Sequence, residues 1–164
     1  MPILDPHTLE FFSRSAAQTR RVGMRLGELL HPGHVIHLIG DLGGGKTTFV
    51  QGVAAGWGTL DPVSSPTFVL VNVYRHPNGG RLYHLDAYRL QDASEAEALD
   101  LDTMIASGPL VVEWADRIQA ALPEERLRIQ FRWIDDEQRA MQFSALGTAY
   151  EDLLEDFRQK VYAV

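Results

Sequence analysis

A chain of 164 residues is long enough for one domain with a substantial core and too short for two of ordinary size. Its formal charge of −7, with no run of Lys or Arg to offset it, excludes gripping bare nucleic acid by electrostatics alone. The absence of cysteine excludes disulfides, thiolate metal sites and a cysteine nucleophile, and neither a leader pattern nor a membrane-length apolar run is present, so a cytoplasmic protein off the membrane is expected.

In chain order, residues 8–12 are expected to form a short edge strand. Ser13 reads as the N-cap of a helix reaching Leu30, with Val22, Leu26, Leu29 and Leu30 on its apolar side, and His31-Pro32-Gly33 ends it. The apolar run Val35-Ile36-His37-Leu38-Ile39 predicts a buried strand, and residues 47–57 a helix with Phe49, Val50, Val53 and Ala54 on one face. Gly56 and Gly58 break that pattern, and a loop runs to Pro66. Residues 68–75 and 81–85 predict strands around the turn Asn78-Gly79-Gly80. An acidic, Ala-rich stretch over 93–99 predicts a short helix, and Leu110-Val111-Val112 a buried strand ending at Glu113-Trp114. Residues 127–134 and 139–146 alternate around Asp135-Asp136 as a second hairpin, and an amphipathic helix over 148–162 closes the chain. Trp57 and Trp133 are expected in the core.

Helices alternating with buried strands, with hairpins at the margins, predict an α/β fold: a P-loop NTPase-like mixed sheet with a parallel core, antiparallel margins and flanking helices. Residues 1–164 read as a single domain, with the motif-bearing core over about 13–134 and a C-terminal hairpin and helix over about 126–162.

The stretch Gly40-Asp-Leu-Gly-Gly-Gly-Lys-Thr-Thr48 matches GxxxxGK[ST], the phosphate-binding loop, in the strand–loop–helix setting that gives the motif meaning. In that setting Asp41, Leu42, Gly43, Gly44 and Gly45 supply backbone N–H groups around phosphate oxygens, and the following helix adds positive charge at its N-terminus. Lys46 would reach the β- and γ-phosphates, and the Thr47 hydroxyl would ligate Mg²⁺. No Asn-Lys-x-Asp motif for guanine is present, which favours ATP over GTP.

Hydrolysis or transfer also needs acidic groups near the metal and the γ-phosphate. Asp86 follows Leu82-Tyr83-His84-Leu85, and Glu113 follows Leu110-Val111-Val112; each can hold Mg²⁺ or orient water, and the two roles are not divided by sequence. Either residue alone could equally be an acid at an exposed strand end. Ser65, Thr67 and Trp114 are candidates for a segment that rearranges near the γ-phosphate. His84 is expected to be packed or hydrogen-bonded rather than a metal ligand.

Taken together these segments resemble the TsaE (YjeE) family, the small ATPase of bacterial tRNA threonylcarbamoyladenosine biosynthesis. The matching pieces are the loop from Gly40 to Phe49, Ser65-Pro-Thr-Phe68 with Tyr74, His84-Leu-Asp-Ala-Tyr-Arg-Leu90 and Val112-Glu-Trp114, together with a helix carrying Thr19 and Gly23. Gly44 stands where the family usually has Ala. The resemblance implies a Mg²⁺-dependent ATPase, slow alone, that acts with TsaB and TsaD on tRNA indirectly, supporting repeated threonylcarbamoyl transfer to the adenosine beside the anticodon. It implies that Lys46, Thr47 and Thr48 hold phosphates, that Thr47 and Glu113 hold Mg²⁺, that Asp86 positions or activates water, and that Thr19 approaches the adenine side. A small P-loop kinase acting on a metabolite is the main alternative, and a nucleotide-dependent regulatory module with negligible turnover the other. Arg126, Arg128, Arg132 and Arg139 fall on predicted strands rather than on a kinase-like lid.

Overall fold

The structure, a computed structural model, describes residues 5–40, 45–63 and 71–162. Among these residues seven strands make one sheet: β1 (Thr8–Ser13), β2 (Val35–Gly40), β3 (Val71–Arg75), β4 (Arg81–Asp86), β5 (Leu110–Glu113), β6 (Arg126–Trp133) and β7 (Arg139–Leu146). Their spatial order is β1-β7-β6-β2-β5-β4-β3. The central four, β6, β2, β5 and β4, run parallel. On one side β3 joins β4 antiparallel, and on the other β7 and then β1 do the same. The parallel core and antiparallel margins expected from the hydrophobic pattern are therefore present, with β1 on the outer edge.

Both faces of the parallel core are covered, which is why β2 and β5 are apolar almost without alternation. On one face lie α1 (Ala16–Gly27), α2 (Lys46–Trp57) and α5 (Thr148–Tyr162), packed through Val22, Leu26, Phe49, Val53, Leu154 and Phe157 against Ile36, Leu38 and Ile129. On the other lie α3 (Ala93–Glu97), α4 (Leu101–Ser107) and a 3₁₀ segment over Ala115–Ala121, whose Ala96, Leu101 and Ile118 pack with Leu85, Leu110 and Val112. A further 3₁₀ turn, Ala87–Arg89, follows β4 directly. Among the described residues no helix is long and apolar enough to cross a membrane.

The two helices nearest the centre meet backbone to backbone. A Cβ on Gly52 would stand 2.0 Å from the Arg20 carbonyl oxygen, and one on Gly56 would stand 2.1 Å from that of Met24. From the opposite side, a Cβ on Gly23 would lie 2.3 Å from the Phe49 oxygen and one on Gly27 2.0 Å from the Val53 oxygen. Spacing of four residues on each helix puts each glycine pair on one face, so α1 and α2 approach each other along a seam of four glycines.

The local differences from expectation have simple causes. The cap of α1 is Ser15, whose oxygen accepts from the Gln18 N–H at 3.1 Å, not Ser13. Ser13 ends β1 instead, and its hydroxyl meets Thr19 Oγ1 at 2.6 Å. The α1 pattern also closes at Gly27, because Leu29 and Leu30 donate to Leu26 and Gly27 in a tighter turn. The strand expected over 68–75 is described from Val71 onward, and residues 68–70 lie outside the described residues. Trp57 packs partly buried against the main core, whereas Trp133, at the open end of the β6–β7 hairpin, is 50% exposed and not a core residue. The helix α4 and both 3₁₀ segments were not foreseen.

Candidate functional site

Parallel strands bring their carboxyl ends to one edge of the sheet. There the register sets Leu38 beside Glu113 and Glu113 beside Asp86, so two acids from different strands sit next to each other. The same edge receives the start of α2. Gly45 caps that helix with φ of +93°, a left-handed conformation that costs a residue with a side chain strain but costs glycine none. Lys46 opens α2 and is buried, and its ammonium donates to the Gly40 carbonyl at the end of β2, 2.7 Å away. Thr47 and Thr48 follow, half-buried, in the first turn, where helix geometry leaves amide groups without intrahelical acceptors. Asp41, Leu42, Gly43 and Gly44 lie outside the described residues, as do Ser65 and Thr67.

Trp114 comes directly after Glu113 and joins this edge. Its N–H donates to the Leu38 carbonyl at 3.2 Å, and its backbone takes φ of +58°, uncommon for a residue this large. The turn sets the indole beneath Lys46, whose ammonium lies 4.2 Å from the ring centre. The other partner of the indole is Tyr88, with ring centres 5.1 Å apart, and the Arg117 guanidinium lies over Tyr88 in turn.

The two acids differ in surroundings. Asp86 is partly exposed, and one carboxylate oxygen accepts from the Tyr88 N–H at 3.0 Å, capping the 3₁₀ turn. Glu113 is 5% exposed, and its Oε2 lies 2.6 Å from Nε2 of the fully buried His84. On its far side His84 Nδ1 meets the Tyr74 hydroxyl at 3.0 Å. Burial raises the Tyr74 phenol above its ordinary value, and the Glu113 charge adds to the shift. His84 is thus hydrogen-bonded, as expected. Among the described residues no three His, Cys, Asp or Glu side chains form a group able to hold a metal by themselves.

Thr19 lies in α1, buried, with its hydroxyl engaged by Ser13. Arg126, Arg128, Arg132 and Arg139 are on β6 and β7, as foreseen. Arg139 nevertheless reaches the site: its Cγ lies 3.4 Å from where a Cβ on Gly45 would stand. Its Nη1 donates to the Asp135 and Gln138 carbonyls of the hairpin turn. Sequence carried no signal for this approach, which depends on β6 lying directly beside β2.

Parallel strand ends that meet the start of α2, with acids on the neighbouring strands, define a mixed α/β protein with its candidate site at the carboxyl edge of the sheet. The chain belongs to the TsaE family: the family model described as threonylcarbamoyl adenosine biosynthesis protein TsaE matches residues 13–141. A Bacillus subtilis protein named tRNA threonylcarbamoyladenosine biosynthesis protein TsaE is 41% identical over 141 residues, covering 85% of this chain and 87% of the relative. A Treponema pallidum protein of the same name is 42% identical, covering 77% of this chain and 93% of the relative. The crystal structure of Bacillus subtilis YdiB superposes with a TM-score of 0.76 at 35% identity, over 93% of this chain and 95% of that one.

Proposed function

We propose that this protein is a Mg²⁺-dependent ATPase of the cytoplasmic machinery that makes threonylcarbamoyladenosine in tRNA, acting with TsaB and TsaD to support repeated threonylcarbamoyl transfer to the adenosine beside the anticodon. The observation that carries this reading is the meeting of Lys46, at the positive end of α2, with the carboxylates of Asp86 and Glu113 at one sheet edge. Family membership supplies the pathway.

Bound ATP would supply the phosphoanhydride bond to be cleaved, with Mg²⁺ neutralising its phosphate oxygens. Lys46 holds a fixed ammonium against that charge, in a site where burial strengthens the attraction. Mg²⁺ takes one or two protein groups and completes its shell with phosphate and water; the Thr47 hydroxyl and the Glu113 carboxylate would be those groups. Asp86, more open to solvent, orients or activates the attacking water. By their motif positions Asp41, Leu42, Gly43, Gly44, Gly45 and Thr48 would surround the phosphates, and Thr19 would approach the adenine side. The acidic composition favours action on tRNA through protein partners over direct contact.

The test is ATP hydrolysis by the purified protein alone and with TsaB and TsaD, followed by tRNA modification over several turnovers. Slow hydrolysis alone, a rate altered by the partners, and repeated modification that requires this protein are expected. Partners that neither bind it nor need it would overturn the reading. ATP binding without hydrolysis in either setting would point to a regulatory module, and efficient phosphorylation of a metabolite to a kinase.

A further inference from the structure

Behind Glu113 runs a buried line of hydrogen bonds across β3, β4 and β5 that the proposed reaction does not use directly. We propose that Tyr74 and His84 are positioning residues that aim the Glu113 carboxylate through a chain of hydrogen bonds joining Asn72, Tyr74, His84 and Glu113. An ionised carboxylate only accepts, so the hydrogen between His84 Nε2 and Glu113 Oε2, 2.6 Å apart, sits on the imidazole. On the other side of the ring, Nδ1 lies 3.0 Å from the Tyr74 hydroxyl. The Asn72 side chain hydrogen-bonds that hydroxyl in turn.

The strands make this chain possible. Asn72 pairs with His84 in the antiparallel β3–β4 register, and Tyr74, two residues on, shares a face with Asn72. His84 and Asp86 share a face of β4, and Asp86 pairs with Glu113 on β5, so His84 approaches Glu113 on the diagonal. Tyr74 is 3% exposed, His84 0% and Glu113 5%, so water cannot replace a missing link. His84 engages Oε2, which leaves Oε1 as the oxygen open to metal or water. Groups that orient a metal- or water-holding side chain from behind commonly change activity by about ten- to a hundredfold when removed.

The role assigned to Glu113 rests on the proposed ATPase; the hydrogen bonds of the chain do not. Nitrogen-15 NMR of the nucleotide-free protein should find His84 with its hydrogen on Nε2 and that proton far downfield. Tyr74→Phe should then shift the Nδ1 resonance. A His84 ring with no hydrogen on Nε2, or one indifferent to Tyr74→Phe, would overturn the chain. In hydrolysis assays, folded Tyr74→Phe should lose about tenfold in kcat with an unchanged KM for ATP, and should need more Mg²⁺ for half-maximal rate. A lower melting temperature with wild-type kcat and Mg²⁺ dependence would mean a merely structural network and would overturn the positioning role. Should Tyr74→Phe not fold, Asn72→Ala, one link further out, takes the same measurements with the same directions expected. A wild-type protein with no ATPase activity would sink the proposed function, with the tautomer still judging the chain.

Discussion

The Lys46 ammonium lies 4.2 Å from the centre of the Trp114 ring while it donates to the Gly40 carbonyl at 2.7 Å. A cation over an indole face is worth about 0.5–2 kcal/mol, more when water is excluded. A triphosphate beside the same ammonium would offer a far larger attraction, so a bound nucleotide would compete with the indole for Lys46.

Lys46→Ala is therefore expected to lower ATP affinity or turnover by about a hundredfold. Indole fluorescence should also change on ATP addition, and Trp114→Phe should remove that change although Trp57 and Trp133 remain. Titration calorimetry and fluorescence make the check; unchanged affinity and turnover in Lys46→Ala would rule out the phosphate-loop assignment.

Glu113→Gln and Asp86→Asn keep shape and remove charge, and both are expected to lose about a hundredfold or more in hydrolysis. Their stabilities should differ. Asp86 caps a turn at the surface, so Asp86→Asn should melt close to wild type. Glu113 accepts from a buried imidazole, so Glu113→Gln should melt a few degrees lower while remaining folded. Steady-state ATPase assays and thermal melts on the same preparations test the pair, and wild-type turnover in both variants would remove these acids from the mechanism.

Acid should unfold the protein through two buried histidines. Burial, aided by the Arg126 and Arg128 charges, lowers His37 from 6.5 to about 3, and burial with the neighbouring His31 lowers His34 to about 4. Between these values and 6.5 the unfolded chain binds more protons than the native one, so stability falls as the pH drops through that window. It should level off below the folded values. His37, whose Nε2 has no hydrogen-bond partner, should account for a loss on the order of 2 kcal/mol by about pH 4.5. Urea unfolding at neutral and acid pH should find a smaller loss in His37→Leu than in wild type; an identical loss would exonerate His37.

Alanine is about 1 kcal/mol better than glycine inside a helix, so Gly52→Ala would stabilise an isolated α2. In the protein its Cβ would stand 2.0 Å from the Arg20 carbonyl, a backbone atom with no side chain to swing aside. Overpacking of this kind costs about 1–3 kcal/mol or more, and the clash is expected to win. A melting temperature at or above wild type would mean that α1 and α2 separate easily.

What the sequence disclosed about this site, and what it withheld, divides by distance along the chain. Asp86 and Glu113 were visible because an apolar run reports where a buried strand stops, and in a parallel core the stops share an edge. The start of α2 was visible from the glycines before Lys46. The contact of His84 with Glu113 was not, because it depends on β4 choosing β5 as its neighbour and on a register that no local pattern encodes. Arg139 beside Gly45 is hidden for the same reason. At shorter range the misplaced cap of α1 was avoidable: Ser15-Ala-Ala-Gln18 carries the serine and glutamine spacing of a capping box, and Ser13 does not. Trp133 misled because a large aromatic raises the expectation of burial, while its place at the end of a hairpin decides its exposure.

Side chains between helices act as springs, since rotamers can change to absorb a displacement. At Gly23, Gly27, Gly52 and Gly56 those springs are absent, because backbone meets backbone. The helix that opens with Lys46 thus rests directly on α1, and α1 bears Thr19, whose hydroxyl is fastened to Ser13 at the end of β1. The centre of the sheet and its outer edge strand are thereby joined by one unbroken line of contacts.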